Sequence, residues 1–428
     1  MEYALRILRS LIPKRIFLFF QPAYHLLLVR LGALLYRYPS RELTVIGVTG
    51  TKGKSTTVEF IRAILAAAGH TVATASTIRF SIGERSEPNL FKMTMPGRFF
   101  LQRFLRSAVS AGATHAVIEM TSEGVRLFRH HDIDLDALVF TNIAPEHIES
   151  HGSFEAYAAA KLEIGHALER SRKRPRTVVA NTAHELGERF LTLDVENKIQ
   201  YDLDLAKIYT LRDDGSTMSF RGENIQLAVP GAFNVENALA ATLVCEALGV
   251  NAEHIRVGLE SVTTVPGRVE RIWAGQSFAA IVDYAHTPDS LRALYGTFPN
   301  RRKICVLGNT GGGRDRWKRP AMAKIAEEHC AEIILTDEDP YDENPRAIVE
   351  EMARALRKPP TIIMDRRAAI RAALTLARAG DVVLVSGKGT DPFIMGPRGA
   401  KTPWSDARVV REELERLATS QRRAASVA

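Results

Sequence analysis

Cysteine is scarce in this sequence of 428 residues, which contains only Cys245, Cys305 and Cys330. The three lie far apart and show no metal-ligand spacing, so a zinc ribbon is excluded. Their scarcity also excludes a fold that depends on disulfides, and it predicts a reducing compartment with no disulfide framework. Internal repeats and long low-complexity segments are missing as well. The length of the chain allows two or three domains with sizeable cores, and its composition is that of an ordinary globular protein.

Long apolar runs are missing too, even near the N-terminus. Residues 16–36 are apolar, but Gln21, Pro22, His25 and Arg30 interrupt them, whereas a membrane-spanning helix needs about 20 largely apolar residues. No small-residue cleavage site accompanies the stretch, so a signal peptide is not expected either. We predict two short amphipathic helices packed on the body of the protein, with peripheral membrane attachment as the alternative.

Acidic residues are outnumbered, because 57 Lys and Arg face 49 Asp and Glu and leave a net charge of +8. A basic balance suits polyanions, and nucleic acid is one of them. The densest basic run, RSRKRPR at residues 170–176, contains no aromatic residue and predicts a solvated loop. We therefore favour a small phosphorylated ligand over nucleic acid.

Short β-rich runs alternate with helical patterns from Thr44 onward, which is typical of an α/β protein with a mostly parallel sheet. The first set of predicted strands is 44–48, 71–77, 115–120, 137–141 and 177–181, followed by short antiparallel strands within 200–230 and an Ala-rich helix over 234–248. A second set is 279–283, 303–307, 332–336, 361–364 and 381–386. We expect a helical segment over 1–43, a central domain over 44–264 and a Rossmann-like C-terminal domain over 265–428.

The stretch VIGVTGTKGKST at residues 45–56 is a Gly-rich loop between a strand and a helix. The simple phosphate-loop pattern needs glycine five residues before Gly53, where this sequence has Val48. The required chemistry is still present, since backbone amides, an ammonium and a hydroxyl meet at a helix N-terminus. These groups come from Gly47, Gly50, Gly53, Lys54 and Ser55. The loop alone predicts only a site for nucleotide phosphates.

Further motifs follow the loop in a fixed order. They are IEMTS at 118–122, TNIAPEH at 141–147, HG at 151–152, AAAK at 158–161, FNVEN at 233–237, PGRVE at 266–270, DYAHTPD at 283–289, GGRDRWKRP at 312–320 and GKG at 387–389. Together with TGTKGKST they resemble the Mur ligase superfamily over about residues 44–417. DYAHTPD with the GKG ending resembles its MurE-like branch, the UDP-N-acetylmuramoyl-peptide synthetases. The resemblance implies a P-loop ATPase domain, a Rossmann-like C-terminal domain and an ATP-dependent ligase that forms an amide through an acyl phosphate.

The resemblance also implies roles for individual residues. Phosphate binding falls to Gly50, Thr51, Lys52, Gly53, Lys54, Ser55 and Thr56. Magnesium binding, with two ions, falls to Ser55, Glu119, His147 and Lys161, of which Lys161 is carbamylated. An unmodified ammonium would repel the ions, whereas a carbamate attracts them. The nucleotide is contacted by Asn237 at adenine, Arg268 at the phosphates, Asp283 at ribose and by His286, and the catalytic set is Lys54, Glu119, His147, Lys161 and Arg268.

Each of these residues also has a simpler interpretation when it is taken alone. His147 could cap a helix at the surface, and Lys161 could lie on a solvated helix face. Asn237 could be a helix-surface residue, and Arg268 could form an interdomain salt bridge. The resemblance favours the functional interpretation because the residues occur together and in order.

Two departures from the MurE-like pattern concern the substrates. Only 43 residues precede the first predicted strand, too few for the domain that usually holds the UDP part of the acceptor, so the UDP sugar is held differently or the acceptor carries none.

Second, the diaminopimelate-type motif Asp-Asn-Pro-Arg is replaced by EDPY at 338–341, without the arginine that clamps a carboxylate. The acids Glu338, Asp339 and Asp391 there suggest an amino acid with a cationic side chain, unless they only cap a helix. The resemblance implies that the substrates are contacted by Arg314, Asp339, Gly387 and Asp391. It also implies that Lys318 faces the cleft that closes between the two domains.

Three functions remain open at this point. A MurE-like amide ligase of peptidoglycan precursor synthesis, acting on small-molecule substrates as a cytoplasmic monomer, is the leading interpretation. A ligase of the same superfamily with a non-UDP acceptor, of the folylpolyglutamate, poly-γ-glutamate or cyanophycin type, is the second. A nucleotide-binding scaffold without chemistry is the third, and the presence of Lys54, Glu119, His147 and Lys161 argues against it.

Overall fold

The computed structural model describes residues 14–97, 99–146, 148–206 and 208–427. Helix α1 (Lys14–Leu35) and a short 3-10 helix (Pro39–Glu42) lead into the first sheet. Its strands are β1 (Thr44–Thr49), β2 (Val72–Ala75), β3 (Arg79–Ile82), β4 (Arg85–Pro88), β5 (His115–Glu119), β6 (Ala137–Phe140), β7 (Thr177–Asn181) and β8 (Asn197–Tyr201). They are ordered β4-β3-β2-β5-β1-β6-β7-β8, and only the β2–β3 and β3–β4 pairs are antiparallel.

Helices cover both faces of this sheet. They are α2 (Lys54–Ala67), α3 (Phe100–Ser110), α4 (Ser122–Arg126), α5 (Ile148–His151), α6 (Phe154–Glu169), α7 (Glu185–Leu191), α8 (Ala232–Ala247) and α9 (Ala252–Glu260). Val58, Ile61 and Leu65 form an apolar face of α2 and are fully buried. Gly69 has a φ of +85°, as a glycine that ends a helix requires.

A small antiparallel sheet follows the first one, with a 3-10 helix (Leu203–Ala206) before it. Strands β9 (Tyr209–Arg212), β10 (Gly215–Phe220) and β11 (Glu223–Leu227) are ordered β11-β10-β9. Met218, Ile225 and Leu227 pack in the same core as α2 and α8. The antiparallel strands predicted within 200–230 are therefore confirmed, and their apolar residues close one face of the central sheet.

A second large sheet is formed by β12 (Glu270–Ile272), β13 (Ala279–Asp283), β14 (Lys303–Leu307), β15 (Glu332–Leu335), β16 (Thr361–Ile362) and β17 (Val382–Ser386). Its order is β12-β13-β17-β14-β15-β16, and all pairs except β12–β13 are parallel. The remaining elements are helices α10 (Pro288–Gly296), α11 (Lys318–His329), α12 (Pro345–Ala353), α13 (Arg366–Leu376) and α14 (Asp406–Val427), a 3-10 helix (Pro397–Gly399), and the hairpin strands β18 (Phe393–Met395) and β19 (Lys401–Pro403). The predicted α/β fold class is confirmed, and the domain boundaries at 43/44 and 264/265 stay a prediction.

The prediction of two short helices in the N-terminal segment is wrong. A single helix, α1, runs from Lys14 to Leu35. Although Pro22 lacks an amide hydrogen, the backbone continues through it as a helix. Val29 and Ala33 of this helix are buried, whereas Leu27 is 64% exposed. No helix in the described part of the chain has both the length and the apolar character needed to cross a bilayer.

A disulfide joins Cys305 of β14 to Cys330, which follows α11, so the prediction of a chain without disulfides is wrong. The two residues are 25 positions apart. Parallel pairing of β14 with β15 brings the end of α11 back beside β14, and sequence spacing does not reveal that approach. Cys245 is a free, buried cysteine.

The basic run at 170–176 is only partly the solvated loop that was predicted. Arg176 is buried and pairs with Glu196 at 2.8 Å. Lys173 pairs with Asp136 at 2.6 Å. These cations neutralise acids of their own domain, because the loop packs against the edge at which β1, β6 and β7 begin.

Candidate active site

The carboxyl ends of the central parallel strands meet at one edge of the first sheet. Val48 of β1 lies beside Glu119 of β5, and Thr49 lies beside Phe140 of β6. Ligands of open α/β sheets bind at this kind of edge. A cavity of about 820 Å³ opens there between the two large sheets.

Almost every described residue of the predicted site lines this cavity. They are Gly50, Thr51, Lys52, Gly53, Lys54, Ser55, Thr56, Glu119, Lys161, Asn237, Arg268, Asp283, His286, Arg314 and Asp391. Asp339 and Gly387 line a second cavity of about 90 Å³ that shares several residues with the first. His147, the remaining predicted metal ligand, lies outside the described residues.

Two glycines of the phosphate loop have no room for a side chain. Gly50 has a φ of +145° and Gly53 a φ of +81°. A Cβ on Gly50 would lie 2.0 Å from Thr141 Oγ1, and a Cβ on Gly53 would lie 2.2 Å from Asn237 Oδ1. The loop is thus a tight cradle of backbone amides at the N-terminus of α2, a geometry that suits a polyphosphate.

Replacing Gly53 by alanine tests that cradle. We expect G53A to weaken ATP binding about tenfold or more, because Asn237 must move and the left-handed backbone costs roughly 1–3 kcal/mol. Isothermal titration with a non-hydrolysable ATP analogue measures the effect. G112A is the matched control, since Gly112 has a φ of +78° but a Cβ added there would meet no atom within 4 Å. Equal losses in both variants would contradict the steric role of Gly53.

The oxygen donors at the loop suit a hard divalent cation. Ser55 Oγ donates to Glu119 Oε2 at 2.9 Å, and the same carboxylate accepts from the Thr77 amide at 2.8 Å. Lys54 Nζ lies 3.9 Å from Glu119 Oε1 and donates to the Thr51 carbonyl at 2.8 Å. Hydroxyl and carboxylate oxygens are the ligands that Mg²⁺ prefers. Ser55 and Glu119 therefore fit a magnesium ion that would neutralise phosphate charge.

Lys161 is buried, contrary to what a lysine on a solvated helix face would show. Its Nζ donates to the Gly50 carbonyl at 2.6 Å, directly behind the phosphate loop. It also lies 4.6 Å from the centre of the Tyr157 ring. Burial, reinforced by the nearby Lys54 ammonium, holds the pKa of the Lys161 amine well below its usual value. A neutral amine is the form that reacts with carbon dioxide.

The C-terminal domain contributes Arg268 to the same place. Arg268 Nη2 lies 3.3 Å from Ser55 Oγ, and the guanidinium lies 4.6 Å from the centre of the Tyr284 ring. Asp283, the predicted ribose ligand, accepts from the amides of Val269 and Ala285 at 2.7 Å each. Asp283 therefore holds the backbone that presents Arg268, besides lining the cavity.

A second link between the two sheets runs through Glu146. Its Oε1 lies 2.7 Å from His286 Nε2, and its Oε2 lies 3.1 Å from Lys52 Nζ. The other His286 nitrogen contacts the Tyr284 carbonyl at 2.7 Å. One polar network thus joins the phosphate loop, the loop that follows β6 and the C-terminal domain.

The acids predicted to attract a cationic side chain already have cations beside them. Lys388 Nζ lies 2.8 Å from Asp339 Oδ1 and 3.3 Å from Asp391 Oδ2. Lys92 Nζ lies 2.5 Å from Asp339 Oδ2. Asp339 and Asp391 are therefore already paired, because Lys92 reaches them from the other domain. The preference for an amino acid with a cationic side chain stays a prediction. Glu338 Oε2, beside Gly387, is buried and has no hydrogen-bond partner among the described residues.

Sequence reasoning missed several of these residues. Thr77 lies far from every motif, and Tyr157 directly precedes AAAK without belonging to it. Tyr157 OH contacts Thr51 Oγ1 at 2.9 Å. Glu146 stands inside TNIAPEH, so its motif position could have identified it. Lys92 lies in a loop without any recognised pattern, and nothing in the sequence pointed to it.

Comparison with known families decides what this site belongs to. Residues 48–245 match the Mur ligase middle domain, and residues 267–389 match the Mur ligase, glutamate ligase domain. The chain belongs to the Mur ligase family. As a Mur ligase it is an ATP-dependent, ADP-forming ligase that makes carbon–nitrogen bonds, and the family uses Mg²⁺.

Individual relatives of this Mur ligase agree. It is 33% identical over 380 residues to a UDP-N-acetylmuramoyl-L-alanyl-D-glutamate–2,6-diaminopimelate ligase of Bacillus cereus, covering 85% of this chain and 76% of the relative. It is 34% identical over 425 residues to a UDP-N-acetylmuramyl-tripeptide synthetase of Roseiflexus, covering 92% and 83%.

Solved structures share the fold. A diaminopimelate ligase of the same type superposes with a TM-score of 0.62 and 27% identity over 91% of this chain and 83% of that chain. A Mycobacterium tuberculosis folylpolyglutamate synthase superposes with a TM-score of 0.71 and 16% identity over 86% and 93%. The second likeness concerns the fold alone.

Proposed function

We propose that this Mur ligase adds an amino acid to the terminal carboxylate of a UDP-N-acetylmuramoyl peptide in peptidoglycan precursor synthesis. The observation that carries the proposal is the meeting of Arg268 with Ser55. It brings the guanidinium of a residue of the C-terminal domain to the phosphate loop, where Lys54 lies beside Glu119 of β5. The named activity of the relatives supports the acceptor.

The reaction requires two anions to meet. An acceptor carboxylate oxygen attacks the γ-phosphorus of ATP, the bond to the β-phosphate oxygen breaks, and ADP leaves. The amine nitrogen then attacks the acyl phosphate, inorganic phosphate leaves, and the nitrogen loses a proton. Lys54 and Arg268 bind and orient the phosphates and offset their charge, which is how phosphoryl transfer is accelerated. Magnesium, held through Ser55 and Glu119, would supply further charge neutralisation.

We further propose that Lys161 is carbamylated and that its carbamate, with His147, completes the ligands of a second magnesium ion. The buried position and lowered pKa of Lys161 support this step. The remaining predicted roles are proposals of the same kind: Asn237 at adenine, Asp283 at ribose, His286 near the nucleotide, and Arg314, Asp339, Gly387 and Asp391 around the incoming amino acid. We place the reaction in the cytoplasm, where ATP and nucleotide sugars are made, and expect a monomer.

A phosphate-release screen tests the proposed function. Purified enzyme with ATP and Mg²⁺ receives UDP-N-acetylmuramoyl dipeptide or a non-UDP acceptor such as folate, each with a panel of amino acids. We expect release only with the muramoyl acceptor and an amino acid together, and mass spectrometry should detect the tripeptide. Release with folate and glutamate instead would reject the acceptor while retaining the ligase chemistry.

A further inference from the structure

Lys92 belongs to the loop between β4 and α3, but its ammonium lies against the C-terminal domain. Its Nζ lies 2.5 Å from Asp339 Oδ2 and 3.4 Å from Asp391 Oδ2. The centre of the Tyr341 ring is 5.7 Å away. The same side chain lines both cavities. One domain thus delivers a cation to the wall of a recess that the other domain forms.

Lys92 completes the pairing of Asp339 and Asp391, two of the acids of this recess. Lys388 is fully buried, and its three donors contact Asp339, Asp391 and the Phe393 carbonyl. An ammonium has three donors, so Lys388 has no further capacity. Two carboxylates with one internal ammonium leave one negative charge. Lys92 neutralises it, and a buried charge without a partner is unfavourable.

The backbone of Lys92 is held in a conformation that lysine avoids. Its φ is +54°, in the left-handed region, where a side chain with a Cβ is disfavoured. Such strain persists only where surrounding contacts enforce it, and it concentrates at functional positions. The contacts that hold Lys92 here are the two carboxylates of the opposite domain.

We propose that Lys92 determines which side-chain charge the amino-acid site accepts: its ammonium fills the one cation position that Asp339 and Asp391 leave, so the site rejects an amino acid whose side chain ends in a cation. The proposal rests on the proposed function, because it takes this recess as the amino-acid site. Arg314, which lines the same two cavities, adds a second cation on that wall.

Three amino acids of matched length separate the charges. Norleucine is lysine without its distal amine, and diaminopimelate is lysine with a carboxylate added on the carbon that bears the distal amine. The value of kcat/KM for each is measured with wild type, K92M and K92R, and with K324M as a control for loss of an exposed lysine of the C-terminal domain. Ratios between amino acids are compared, because they do not depend on the folded fraction of a variant.

We expect K92M to raise the ratio of lysine to diaminopimelate by about tenfold or more, and the ratio of lysine to norleucine in the same direction. K92R should keep the wild-type ratios, since it keeps the charge, and K324M should leave them unchanged. Unchanged ratios in K92M, even with a uniform loss of rate, would overturn the proposal. Lys92 would then be only a contact between the two domains.

Failure of the proposed function is recognised separately. If wild type releases no phosphate with any acceptor, titration calorimetry of the three amino acids in the presence of an ATP analogue decides the matter. A gain of lysine binding in K92M relative to diaminopimelate would support the role of Lys92 in that case. Equal binding of lysine and diaminopimelate by wild type and K92M would reject it.

Discussion

Replacement of Lys161 by alanine should abolish amide formation, lowering kcat about a thousandfold or more. The loss corresponds to roughly 4 kcal/mol of transition-state stabilisation. The physical reason is that the proposed carbamate supplies an anion behind the phosphate loop, where the Lys161 amine lies 2.6 Å from the Gly50 carbonyl. Steady-state phosphate release with the best substrate pair measures the loss, and added acetate should partly restore the rate of K161A.

The modification itself has a direct signature. Wild-type enzyme incubated with carbon-13 bicarbonate should show one additional carbamate signal that K161A lacks. Because only the neutral amine reacts with carbon dioxide, and burial lowers the pKa of Lys161, carbamylation should persist at neutral pH and fall as the pH drops through that pKa. K161R keeps the cation but cannot carry a carbamate, so activity of K161R close to that of wild type would contradict the role. K198A, at an exposed lysine of β8, is the control.

Replacement of Lys54 by methionine should lower kcat/KM about a thousandfold as well, for a different reason. Lys54 begins α2, and its Nζ lies 3.9 Å from Glu119, between the loop carbonyls and the proposed metal ligand. Its charge offsets that of the β- and γ-phosphates during transfer, which an uncharged side chain of similar length cannot do. The assay is the same phosphate release, with ATP binding measured by calorimetry.

The two variants should differ in how they bind ATP. K54M should bind ATP several-fold more weakly, whereas K161A should bind it with nearly unchanged affinity, because the carbamate that K161A lacks would act on the metal and the transferred group. Acetate should not rescue K54M, since the missing charge is positive. Rescue of both variants by acetate would mean that the effect of acetate is non-specific, and the assignment of Lys161 would then lose its support.

Local sequence was sufficient for the central strands and for the phosphate loop. Strands such as β7 and β13 were predicted with their observed bounds, because buried parallel strands are short, continuous β-rich runs. The motif residues line the cavity because they follow the ends of strands. Parallel strands bring those ends to one edge of the sheet. Prediction failed where an outcome depended on packing, as in the single helix α1 that continues through Pro22.

What the sequence by itself determined is the family, the fold class and the set of residues around the phosphates. All of these rest on short motifs in a fixed order. Only the tertiary structure decided the pairings between distant segments. Lys92 meets Asp339 across 247 positions, Glu146 meets His286 across 140, and Cys305 is bonded to Cys330. Those contacts depend on how the two sheets and their loops pack. The sequence alone therefore does not show which distant side chain neutralises a given charged residue.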